Sequence, residues 1–138
     1  MEKMKIGSIT TLAIVAISVI LVVVVLLFLL RGDEDDWIRN SDTNGVWTKH
    51  GNPSTIPVYV VEQKDALNCA TDLYNQARNN EMIFDSQCLG ACGNYSVDIV
   101  HSPRNMDDDK TINQCPDYPK KTRFFIELDS SGNIVRVA

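Results

Sequence analysis

Residues 12–30 read LAIVAISVILVVVVLLFLL, nineteen positions in which Ser18 is the one polar side chain. As a helix this stretch is roughly 28 Å long at about 1.5 Å per residue, close to the hydrocarbon thickness of a bilayer. Its many Val and Ile residues disfavour a helix slightly in water. In lipid that preference loses, because every backbone N–H and C=O must be bonded within the segment. The uncharged run begins at Ile6, so the reading is a membrane-spanning helix over 6–30 with Leu12 and Leu30 bounding its apolar centre. A cleavable leader has a shorter apolar region and a small-residue cleavage step. Here the run closes on Leu27-Phe28-Leu29-Leu30 before Arg31.

The flanks set an orientation. Lys3 and Lys5 lie before the helix, and Arg31 after it is followed at once by Asp33, Glu34, Asp35 and Asp36. Basic residues decide orientation, so residues 1–5 are expected inside and the C-terminal part outside the membrane. Residues 31–138 carry 11 basic and 17 acidic side chains, a net charge of −6. That balance argues against nucleic acid as a partner, which needs a basic face.

Residues 31–55 read as an acidic stalk and lead-in, with Trp37 near enough to the helix to serve as an interfacial anchor or to pack on the domain. Residues 56–138 read as a small α+β domain. Ile56 to Val61 is rich in β-branched and aromatic residues and predicts a strand. Asp65 offers an N-cap for a helix to about Arg78, with Ala66, Cys69, Ala70, Leu73, Tyr74 and Ala77 on one apolar face at helical period. Cys88 to Cys92 reads as a tight segment, and Tyr95, Val97 and Ile99 alternate as a strand. A polar loop from Ser102 to Lys121 precedes a hairpin, Thr122 to Leu128 and Ile134 to Val137, joined across Asp129 to Asn133. The expectation is an antiparallel sheet with the single helix laid across one face, stapled covalently because so short a chain makes a marginal core.

The four cysteines, Cys69, Cys88, Cys92 and Cys115, are an even set in a small domain expected outside the cytosol, which favours two disulfides. The expected links are Cys69–Cys88, joining helix to returning chain, and Cys92–Cys115, closing the long loop. The competing reading is a zinc site built from Cys88, Cys92, His101 and Cys115, although the second ligand pair lacks knuckle spacing.

Catalysis finds little support. Two histidines, His50 and His101, are present, with no nucleophile elbow, zinc-helix or phosphate-loop motif. No cofactor and no small-molecule substrate are expected. Asp98 and the run Asp107-Asp108-Asp109 lack calcium-loop spacing and read as a solvated acidic surface. The run, with Arg136 on the terminal hairpin, is the expected contact for a protein partner. Asn94-Tyr95-Ser96 is an N-glycosylation acceptor sequence.

The layout of Ile6–Leu30 followed by a four-cysteine domain resembles that of small membrane-anchored minor capsid proteins of large icosahedral double-stranded DNA viruses. That resemblance implies an anchor in an internal virion membrane and a domain that meets the capsid shell, so the partners implied are a lipid bilayer and a protein shell. The layout is also similar to that of archaeal pilins, whose apolar helix is buried in a filament. Lys5-Ile6-Gly7 departs from their processing pattern by placing Ile6 between the basic and the small residue. A surface or envelope binding module for entry is the remaining alternative.

Overall fold

The computed structural model describes residues 3–30 and 35–138, with side chains described in the first helix from 11 to 27. Helix α1 covers Lys3–Leu30, and its described side chains from Leu12 to Leu27 are apolar around the whole circumference apart from Ser18. Ser18 turns its hydroxyl back onto the Ile14 and Val15 carbonyls, at 2.8 and 3.0 Å, and so presents no polar face. The expected transmembrane span is not found: among the described residues no helix is long and apolar enough to cross a membrane. The described side chains run from Thr11 to Leu27, about 26 Å of helix against a hydrocarbon core of roughly 30 Å. The side chain of Leu30 lies outside the described residues, as do Arg31 to Glu34.

The lead-in is folded. Strands β1 (Asp36–Ile38) and β2 (Thr48–His50) pair antiparallel, with Trp37 opposite Lys49. Between them Asn40 caps a 3-10 turn at Ser41–Thr43, and Asn44 and Gly45 both take positive φ. Gly45 is obligatory there, because a Cβ would stand 1.9 Å from the Val137 carbonyl oxygen. This close approach docks the lead-in on the C-terminus. Val137 donates its N–H to the Asn44 carbonyl at 2.7 Å, and Asn44 Nδ2 donates to the Ile134 carbonyl at 3.0 Å. Buried Gln63 completes the joint, accepting from Trp47 N at 2.7 Å and donating to the Gly45 carbonyl at 3.1 Å. Trp37 is half-buried and donates from Nε1 to the Thr55 carbonyl at 3.0 Å, so it packs within the fold.

Helix α2 covers Val58–Asn79. The strand expected over Ile56 to Val61 is therefore corrected: those residues lead into and form the first turn of α2. Pro57 stands at the N-cap with extended ψ, where its missing N–H costs nothing. Asp65 is an interior residue rather than a cap. The buried stripe starts two turns earlier than expected, at Val60 and Gln63, then continues through Ala66, Ala70, Tyr74 and Ala77.

Strands β3 (Gln87–Cys92), β4 (Tyr95–Ile99), β5 (Phe124–Leu128) and β6 (Ile134–Val137) form one sheet in sequence order. The expected antiparallel sheet is corrected to a mixed one, since β4 and β5 run parallel. Residues 100–123 supply the long crossover that parallel neighbours require. The terminal hairpin β5–β6 is antiparallel as expected. Tyr95, Val97, Ile99, Ile126, Leu128 and Val137 face α2 and bury Ala66, Ala70 and Tyr74. Tyr74 stacks on Phe84 and donates its hydroxyl to the Ser130 carbonyl at 3.0 Å.

Both disulfides form, with pairings that correct the expected ones: Cys69–Cys92 and Cys88–Cys115. The cause is a bulge in β3. Cys88 pairs with Asp98 and Gly90 with Val97, leaving Leu89 as the extra residue. Four residues along a regular strand would point Cys88 and Cys92 the same way. The bulge sends Cys92 toward α2 and Cys88 toward the crossover.

Candidate functional site

The face of the sheet turned away from α2 is polar. Along β4 the alternate residues are Ser96 and Asp98, along β5 Phe125 and Glu127, and β6 contributes Arg136 directly opposite Glu127. The crossover folds over this face and is fixed to it along its second half. Cys115 is bonded to Cys88 and donates its N–H to Asp98 Oδ1 at 3.1 Å, while Thr122 and Ser96 share a buried hydroxyl contact of 2.6 Å.

A cleft of about 220 Å³ remains between sheet and crossover, lined in part by Asp98, Arg104, Asp109, Tyr118, Glu127 and Arg136. Glu127 is its centre. Arg136 holds it with two bonds, Nε to Oε2 at 2.9 Å and Nη2 to Oε1 at 3.0 Å, and Arg104 reaches the same Oε1 from the crossover. Arg104 also donates to exposed Asp109 at 2.8 Å, and Arg136 lies over the Phe125 ring at 4.6 Å. Asp98 accepts one backbone N–H, and burial followed by the neighbouring Glu127 charge pushes its carboxyl up to about 6. Drug-sized ligands occupy about 300–1,000 Å³. This cleft admits one side chain or a few waters.

The acidic run divides three ways. Asp107 is exposed and paired with Lys110, Asp109 is exposed at the cleft, and Asp108 is buried, which corrects the expectation of a wholly solvated run. Asp108 accepts from Asn105 N at 2.8 Å, from His101 N at 3.0 Å and from His101 Nδ1 at 2.9 Å. Burial alone would raise its carboxyl, and these bonds outweigh burial and hold it at about 2. His101 Nε2 meets exposed Asp85 at 3.1 Å, and the imidazole is pushed up, first by its bond to Asp108. His101 thus clamps the start of the crossover.

Of the residues singled out by sequence, Asp109 and Arg136 meet at the cleft, together with Asp98. Asn94 lies apart, in the β3–β4 turn. The zinc reading fails on the cysteines: Cys88, Asp98 and Cys115 lie within 4.8 Å of one another, but their two sulfurs are bonded to each other, and Cys92 is bonded to Cys69. Arg104 and Glu127 were not expected at the site. The available signal for Glu127 was a lone charge within Phe-Phe-Ile-Glu-Leu, in hairpin register with Arg136. Compared with known protein families, with characterised proteins and with solved structures, the chain matches none.

Proposed function

We propose that this protein is a non-enzymatic anchored tether, in which α1 is held in membrane lipid and the disulfide-locked domain presents its polar cleft to a protein partner. The observation that carries this reading is the surface of α1. Every large hydrophobic side chain described from Leu12 to Leu27 is exposed, by 41–68%. So large a contiguous apolar surface demands an apolar covering, and a helix apolar on all sides offers no face to water. The two disulfides support an oxidising location for the domain. A virion whose membrane underlies a protein shell, the setting of the minor capsid proteins that this layout resembles, offers both surfaces a tether needs.

At the cleft, Asp98, Asp109 and Glu127 outnumber Arg104 and Arg136, and the volume suits one basic side chain of a partner. Exposed ion pairs contribute only about 0–1 kcal/mol each, so charge sets orientation and on-rate more than affinity.

The test is flotation of the full chain with zwitterionic lipid vesicles under alkaline carbonate. Val22→Asp combined with Val23→Asp should abolish association, each aspartate costing about 2.5–3.5 kcal/mol in hydrocarbon. Undiminished flotation of the double variant overturns the anchoring role of α1.

A further inference from the structure

We infer that Asn94 is an attachment site for an N-linked oligosaccharide. The inference rests on the reading that the domain lies on the oxidising side of a membrane, where the modification is made. Asn94-Tyr95-Ser96 is the one acceptor triplet in the chain, since Asn52-Pro53-Ser54 is excluded by its proline. The fold places this triplet where a glycan is tolerated. Cys92 and Tyr95 are paired across the β3–β4 hairpin, so Gly93 and Asn94 form its two-residue turn, with Gly93 at φ +61°. Asn94 is exposed. Its backbone carbonyl takes Arg123 N at 3.0 Å and Phe124 N at 3.1 Å, which fixes the turn, while its side-chain amide has no hydrogen-bond partner among the described residues. Beside it opens a shallow hollow of about 410 Å³ lined by Glu62, Asp65, Cys69 and Tyr95, with room for a first sugar.

The order of events follows from Ser96. Its hydroxyl is fully buried and bonded to Thr122 at 2.6 Å, so in the folded domain it is closed to a transferase. Transfer therefore precedes pairing of β4 with β5. Asn94 Nδ2 displaces the diphosphate of a polyprenyl-diphosphate oligosaccharide. The Nδ2–C1 bond forms, the C1–O bond to the diphosphate breaks, and one amide proton leaves to the transferase's base, with no change of oxidation state.

The experiment is mass spectrometry of the full chain purified from its native source. Digestion with trypsin releases residues 79–104, and amidase treatment in ¹⁸O-water marks a formerly glycosylated asparagine as labelled aspartate. The expected result is a label at Asn94, and loss of the endoglycosidase-sensitive mass in Asn94→Gln with the melting temperature retained. An unlabelled, unmodified peptide from protein whose four cysteines resist alkylation without reductant overturns the glycan and leaves the exported-domain reading standing. Four alkylatable thiols overturn the exported-domain reading, and the glycan with it.

Discussion

Asp98 and Glu127 are direct neighbours across the parallel pair β4–β5, yet only Glu127 is neutralised, by arginines from two directions. Burial, with the like charge of Glu127 adding to it and one backbone donor opposing it, pushes the Asp98 carboxyl up to about 6.

A raised carboxyl makes ionisation a burden on the fold. An unfolded aspartate titrates near 3.9. Between about 4 and 6 the folded chain holds more protons than the unfolded one, so stability falls as pH rises through that window and stays reduced above it. Asp98→Asn keeps an acceptor for Cys115 N and removes the charge. It should raise stability at pH 7 by about 1–2 kcal/mol, after allowance for solvent screening, and flatten the slope between pH 4 and 6. Urea titrations across that range check it. An unchanged slope would show that Asp98 is not the group responsible.

Asp108 carries the opposite sign. Its lowered carboxyl contributes stability that is complete above the unfolded value near 3.9 and is lost as pH falls toward about 2. His101, pushed up, contributes stability that is complete below the ordinary imidazole range and lost as pH rises through its elevated value. The clamp on the crossover therefore loosens at both ends. Asp108→Ala strands the part-buried N–H groups of His101 and Asn105 and should cost about 1–3 kcal/mol. Limited proteolysis should then cut within Ser102 to Lys121 first. Wild-type protease resistance would refute the clamp.

The disulfides close loops of 23 and 27 residues in sequence separation. Restriction of the unfolded chain gives each about 3 kcal/mol. Replacing Cys88 and Cys115 together by serine should release the crossover and the cleft while α2 stays docked. The Cys69/Cys92 double serine variant should instead loosen α2 from the sheet. Hydrogen exchange resolved by peptide distinguishes them, and identical protection maps would contradict this division.

Gly45→Ala is expected to be among the most damaging small changes in the domain. It combines a positive φ with a Cβ placed 1.9 Å from backbone oxygen. Val137 N should lose Asn44 as a partner, with a cost of about 3 kcal/mol or more. A melting temperature matching wild type would mean that the lead-in docks without this contact.

What the sequence made legible was periodic. Tyr95, Val97 and Ile99 gave β4, the Gly-containing turn gave the last hairpin, and Ala66 to Ala77 gave the buried stripe of α2. Ile56 to Val61 was misread because β-branched residues favour strands locally, whereas Val60 and Gln63 continue the helical stripe and pack under the lead-in. A polar Gln63 conceals that continuation. The disulfide pairing depended on a one-residue bulge at Leu89, which no spacing rule reveals. The cleft depended on the crossover direction, because the parallel register of β4 and β5 is what sets Glu127 beside Asp98.

The joint between the lead-in and the C-terminus also has a mechanical meaning. Force entering the domain at Asp36 meets the β1–β2 pair and then the joint at Asn44 and Gly45, where a few hydrogen bonds to Val137, Ile134 and Gln63 bear the load. Those bonds should yield before the core, because Cys69–Cys92 and Cys88–Cys115 tie α2, β3 and the crossover covalently. Residues 36–57 would then pay out as about 70 Å of extended chain while the cleft keeps its shape. For the tether proposed above, this arrangement would make the domain a rigid head on an extensible lead-in.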